Sequence, residues 1–141
     1  AGLCLYGQDI DATTSPVAAG LKWAMHTSRL SGGYKEGKFP GAEKILSEIS
    51  DGTEYKLVGF VPLGKAPIRA NTELFVRSSS SDKIGWITSG SFSPTLKHPI
   101  ALGYLKKEYS IQGNRVNAQV RGKLLEIEVT KLPFVKKNFK K

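Results

Sequence analysis

Cysteine and methionine occur once each and histidine twice in these 141 residues, so the side chains that usually bind metals or attack substrates are scarce. Cys4 has no second cysteine for an internal disulfide and cannot build a metal site alone. It lies in the apolar run Leu3-Cys4-Leu5-Tyr6, where a packed small thiol is the expectation, and a lone thiol fits a reducing compartment. His26 and His98 have no partners at zinc-ligand spacing and read as surface or packing residues, so no metal site is expected. Gly103, Gly113 and Gly122 lack phosphate-loop spacing. No run approaches the roughly 20 apolar residues of a membrane helix. The first residues also lack the basic region, apolar stretch and small-residue cleavage site of a signal peptide, so no membrane partner is expected.

Acidic residues are in deficit as well. Lys and Arg number 21 against 12 Asp and Glu, giving a net charge of +9 and a pI near 9.7. The excess gathers between Lys106 and Lys141, where ten cations face Glu108, Glu126 and Glu128. Such a bias fits nucleic acid, an acidic protein or a polyanionic small molecule, and also a solvated basic surface.

The remaining composition, 40% hydrophobic and 23% charged, is that of an ordinary globular domain. Ala1 to Tyr6 reads as a buried strand with no turn before it, which implies a preceding segment of the same protein. Ser15-Pro16 then forms a helix start, with Ser as N-cap and Pro in the first turn. Val17, Leu21 and Ala24 supply an apolar face for a short helix through Met25, with Trp23 beside it. His26 to Phe39 reads as a loop, and Ala42 to Ile49 as a second helix that ends at Asp51-Gly52. Beyond Gly52 the pattern is that of strands, predicted at Tyr55–Val61, Glu73–Arg77, Lys83–Ser89, Ile100–Tyr109, Arg115–Val120 and Leu124–Thr130. The expected fold is mostly β: an incomplete α+β segment over residues 1–52, then a compact antiparallel β-barrel over 53–141.

No catalytic constellation emerges from the residues. Asp9 and Asp11 are near enough for acid–base work, but their place before a capped helix favours turn roles. Arg69 closes the loop Gly64-Lys65-Ala66-Pro67-Ile68-Arg69, and its five donors suit stapling that loop. Trp23 offers either a packing surface or a flat face for an aromatic ligand. Arg29 by itself reads as a solvated loop charge.

Several strings, taken in order, resemble the glycine cleavage T-proteins, the aminomethyltransferase family. Ala1-Gly2-Leu3-Cys4-Leu5-Tyr6-Gly7 with Asp9-Ile10-Asp11 is similar to the end of that family's folate-binding region. Phe39-Pro40-Gly41-Ala42 resembles a later helix start. Gly64 to Arg69, Ile84-Gly85, Thr88-Ser89-Gly90, Ser93-Pro94 and Ala101-Leu102-Gly103-Tyr104 resemble its C-terminal β domain, and Leu132-Pro133-Phe134-Val135 its closing motif.

The resemblance implies a transferase acting on tetrahydrofolate and on the aminomethyl-loaded lipoyl arm of a partner H-protein. It implies a bacterial cytosolic or a mitochondrial matrix location. It also places the family's catalytic aspartate upstream of Ala1, so no catalytic residue is assigned here and the fragment alone is expected to be inactive. Arg29 matches a ligand-contacting arginine of the family, Trp23 an aromatic that supports the site, and Phe139 a tail tyrosine near the folate. Lys136 and Lys137 depart from the family's tail and would offer cations to the glutamates of folate or to an acidic H-protein surface. Two other readings compete: a stand-alone basic barrel for nucleic acid, and a folate domain of the dimethylglycine or sarcosine oxidase type.

Overall fold

The computed structural model describes residues 1–79 and 81–136. Its main regular elements are six strands: β1 (Tyr55–Pro62), β2 (Glu73–Phe75), β3 (Lys83–Ser93), β4 (His98–Lys106), β5 (Arg115–Val120) and β6 (Lys123–Thr130). They pair antiparallel in the order β1-β4-β3-β2-β5-β6, and β6 returns to β1 through Gly59–Thr130 to Pro62–Ile127. The barrel is closed. Closure leaves no strand of the sheet without a neighbour on either side, which removes the edges through which open sheets associate.

Alternation along the strands sends one set of side chains inward. Phe60, Leu74, Ile87, Leu105, Val116, Ala118, Ile127 and Val129 form the core, joined by Ile68 from the loop after β1. Burying a side chain of this size contributes about 1.5–3 kcal/mol, so this cluster is the main stabilising term of the domain. Where backbone approaches a strand closely, glycine is obligatory. A Cβ at Gly103 would lie 2.4 Å from the Trp86 carbonyl oxygen, and one at Gly90 would lie 1.7 Å from that of Ile68.

The strand boundaries largely follow the expected ones. β3 runs four residues past Ser89, and the predicted strand to Tyr109 ends at Lys106, where Lys107–Tyr109 turns as a short 3-10 helix. β2 stops at Phe75, short of the predicted Arg77. The helix α1 (Ala42–Asp51) is present, set between Gly41 at φ +74° and Gly52 at φ +92°. Lys107 Nζ donates to the Asp51 carbonyl at 3.2 Å and ties the helix end to the barrel.

Two expectations before the barrel fail. Residues 16–25 do not form an α-helix. Ala19 N–H to the Ser15 carbonyl (3.0 Å) and Leu21 N–H to the Pro16 carbonyl (2.8 Å) make a single turn, followed by a 3-10 turn at Lys22–Ala24. Gly20 at φ +71° breaks the ladder, and the Ala18 carbonyl is taken by Leu57 N–H of β1 at 2.8 Å. The cap itself is present: Ser15 Oγ accepts from Val17 N–H at 3.1 Å and donates to the Glu48 carboxylate of α1. Tertiary bonds to β1 and α1 outweigh a weak local helix signal.

The other correction concerns the first six residues, which are neither a strand nor buried. Leu3, Leu5 and Tyr6 are 68%, 62% and 70% exposed. The Leu5 carbonyl accepts from the N–H groups of Gln8, Asp9 and Ile10, which reverses the chain at once. Cys4 is half-buried rather than packed away.

Candidate functional site

The N-terminal arm is fastened to the barrel through Asp9. In β3 the register shifts between Ile87 and Ser89, so Thr88 is the extra residue of a bulge opposite Leu102. The bulge aims two successive hydroxyls at one carboxylate. Asp9 Oδ1 accepts from Thr88 Oγ1 and from Ser89 Oγ (2.9 Å), while Oδ2 accepts from Leu5 N–H at 2.8 Å. Tyr104 Oη of β4 donates to the Asp9 carbonyl at 2.9 Å. Burial, with the nearby thiol and carboxylates, pushes the Tyr104 phenol up to about 12. Asp9 is 4% exposed. Asp9 thus adds long-range bonds to the turn role expected of it, while Asp11 has the turn role alone: its carboxylate caps Thr13 N–H at 2.8 Å and is held below the usual carboxylate value by the Thr13 and Thr14 hydrogen bonds. A sequence offers no periodicity from which Asp9 could be singled out, because its partners lie about eighty positions away.

Held in this way, the arm walls a cleft of about 480 Å³. Gly2 and Cys4 of the arm, Leu57 and Val58 of β1, and Leu132 are among the residues that line it. Trp23 stands at this cleft, 75% exposed. The closing segment packs over β1, where a Cβ at Gly59 would lie 2.9 Å from both Leu132 and Phe134.

Arg29 ends the second 3-10 turn, Thr27–Arg29, which is capped by His26 Nδ1 accepting from Ser28 N–H at 3.2 Å. Its guanidinium donates to the Lys38 carbonyl across the base of the loop. Trp23 and Arg29 are thus neighbours in the chain, but Arg29 is not among the residues lining the cleft. Arg69 is exposed; its loop is fastened by Thr72 Oγ1 donating to the Arg69 carbonyl at 2.7 Å. The loop's apolar anchor is Ile68, 1% exposed. Lys136 is exposed at the end of the described chain, whereas Lys137 and Phe139 lie outside the described residues. Phe60 and Phe75 are 0% and 7% exposed. They are therefore not the open stacking platforms that a barrel binding single-stranded nucleic acid uses.

Residues 56–136 match the family described as the glycine cleavage T-protein C-terminal barrel domain. The mitochondrial aminomethyltransferase of Mesembryanthemum crystallinum is 47% identical over 96% of this chain and 31% of its own length. That of Dictyostelium discoideum is 39% identical over the whole chain and 34% of its own length. Among solved structures, the glycine cleavage system aminomethyltransferase T from Bartonella henselae superposes with a TM-score of 0.85. It is 36% identical over 95% of this chain and 36% of that one. The chain spans about a third of the length of the relatives it matches.

Proposed function

Since this chain belongs to the glycine cleavage T-protein family, we propose that it forms the C-terminal part of a tetrahydrofolate-dependent aminomethyltransferase. In the proposed reaction the substrate is the aminomethyl group carried on the lipoyl sulfur of the H-protein. Its C–N and C–S bonds break, the carbon bridges N5 and N10 of tetrahydrofolate, and the two displaced protons leave on ammonia and on the lipoyl thiol. The order of family-like segments along the chain, together with the closed barrel they build, is the observation that carries this reading.

Within that protein, residues 1–52 would complete the folate-binding region and residues 53–141 the barrel. The exposure of Leu3, Leu5 and Tyr6 on the arm and of Trp23 after it supports the division, because large apolar side chains left in solvent suit a cover by the rest of the protein. Arg29 would bind a carboxylate of the folate, using the guanidinium donors left free by its bond to the Lys38 carbonyl. Trp23 would support the bound ligand from the cleft. Phe139 would lie near the folate, and Lys136 and Lys137 would meet an acidic face of the H-protein or the folate glutamates. The attacking chemistry requires the rest of the protein, including the family's aspartate, so this part alone would be inactive. The location follows the source: the matrix in a mitochondriate cell, the cytosol in a bacterium.

Ammonia release by the full-length protein, supplied with aminomethylated H-protein, tests the reading. Release that depends on tetrahydrofolate supports it. Release indifferent to folate, or none at all, overturns it.

A further inference from the structure

A second hollow, about as large as the cleft beside Trp23, plays no part in the aminomethyltransferase reading. β2 ends at Phe75, paired with Asn117, while β5 begins two residues before that partner, at Arg115. The chain beyond Phe75 leaves the β5 ladder there, and Val76 N–H turns to the Asp82 carbonyl at 3.2 Å. A hollow of about 470 Å³ opens at this place, with Val76, Arg77, Ser78, Tyr109, Asn114 and Arg115 among its lining residues. Its sides are fixed: Asn117 Nδ2 donates to the Arg77 carbonyl at 3.3 Å, and Asn114 Nδ2 to the Tyr109 carbonyl at 2.8 Å. The two guanidinium groups meet at one atom. Glu126 Oε1 lies 3.0 Å from Arg77 Nε and 3.8 Å from Arg115 Nη1, and Glu128 Oε2 lies 3.3 Å from Arg115 Nε. Glu126 Oε1 is buried, yet none of the described residues aligns a hydrogen bond on it. Charge alone therefore holds the two arginines side by side at Glu126, and most of the five N–H donors on each fork stay unspent.

We infer that this hollow binds a phosphate group, as the free ion or as the monoester of a small molecule. A guanidinium presents paired N–H donors that fit two oxygens of a phosphate at once. Two such forks with the Ser78 hydroxyl beside them supply donors from three side chains. The three terminal oxygens of a tetrahedral phosphate use all of them, whereas a planar carboxylate has two oxygens to offer. Glu126 and Glu128 offset the two positive charges, so long-range attraction is small and binding rests on the geometry of the forks. Were the four side chains only surface ion pairs, each would contribute little, and phosphate would find nothing here beyond general basic character.

The test titrates inorganic phosphate and glycerol phosphate against the full-length protein at constant ionic strength, reading binding from the width of the phosphorus NMR signal. Three variants are compared: Arg77→Gln/Arg115→Gln, Arg77→Lys/Arg115→Lys and, on an exposed cation at the start of β6, Lys123→Gln. Circular dichroism verifies that each keeps its fold. The expected result is a Kd about tenfold higher in the glutamine pair, a clear rise in the lysine pair although its charge is kept, and no change in Lys123→Gln. Tighter binding of the ester assigns the site to a phosphorylated small molecule, and equal or weaker binding of the ester assigns it to the free ion. Absence of binding, or affinity that survives in the glutamine pair, overturns the site. So does a lysine pair that matches the parent, because charge without the forks would then suffice, and so does malonate that competes as well as phosphate.

Discussion

The Ser89 hydroxyl donates to the carboxylate of Asp9 at 2.9 Å, joining residues eighty positions apart. With Thr88 beside it, this bond makes a bulge of the barrel wall the anchor point for the arm that borders the cleft. Asp9→Ala would leave Thr88, Ser89 and the Leu5 N–H without their shared acceptor. The expected cost is on the order of 2–3 kcal/mol, with part of it recovered when Ser89→Ala is combined, because the two changes remove one interaction. Urea unfolding of the single and double variants measures both numbers; additive effects would mean that the carboxylate and the hydroxyl act separately.

Tyr104 links alkaline pH to the same anchor. Its phenol is raised from 10 to about 12 by burial, so the folded state prefers the protonated form. That preference stabilises the fold fully below pH 10 and is lost as pH rises through about 12. Unfolding free energy should therefore fall across this window. In Tyr104→Phe, which starts lower for want of the bond to the Asp9 carbonyl, the fall should be shallower. A titration monitored by denaturant unfolding distinguishes the two curves; identical slopes would locate the alkaline loss in another group.

Gly90 and the carbonyl of Ile68 meet too closely for any side chain, a Cβ falling at 1.7 Å. Gly90→Ala must push the Arg69 loop outward and lift Ile68, a core residue at 1% exposure, from the barrel. A loss of about 2–5 kcal/mol is expected, comparable to truncating a buried isoleucine. Thermal unfolding reads it, and Ser91→Ala, on an exposed neighbour, serves as the control and should change little.

For Arg29, the proposed carboxylate contact predicts that Arg29→Ala in the full-length protein raises KM for tetrahydrofolate about tenfold, equivalent to about 1.4 kcal/mol. Arg29→Lys should recover only part of this, because an ammonium cannot present the paired donors of a guanidinium. If both variants keep the parental KM while the 26–39 loop becomes protease-sensitive, the residue is a loop staple through its bond to the Lys38 carbonyl.

Lys136 and Lys137 carry the proposed contact with an acidic partner. Reversing both to Glu should weaken H-protein or polyglutamate binding several-fold at low salt and less so at high salt. Unchanged low-salt affinity would remove the tail from the interface.

The barrel was legible in the sequence because its signals are local: alternating apolar residues in six short runs, separated by Gly, Pro, Asn and Ser turns. The region before it was not. Leu3-Cys4-Leu5 has the composition of a buried strand, yet the arm turns back at Gly7 and leaves Leu3 and Leu5 exposed. Ser15-Pro16 is a sound helix start, and its cap forms, but the carbonyl of Ala18 goes to β1 instead of continuing a helix. Asp9 was legible only in its turn role, since nothing adjacent to it announces Thr88, Ser89 and Tyr104. For the candidate site, Trp23 could be read as a packing surface or a ligand face, and its exposed place at the cleft came only from the fold of the arm around it.

The pairing of β1 with β6 sets an order on the protein's manufacture. Both neighbours of the first strand are made after it, β4 and then β6, so the half of its ladder that β6 fills stays open during synthesis until Thr130 has left the ribosome. Sequence-distant pairings close slowly because the intervening chain must first be ordered. Until then the β1 edge stays open to the strands of other nascent chains. A ribosome that stalls within β6 would release a chain with almost every core residue made and no means of closing around them.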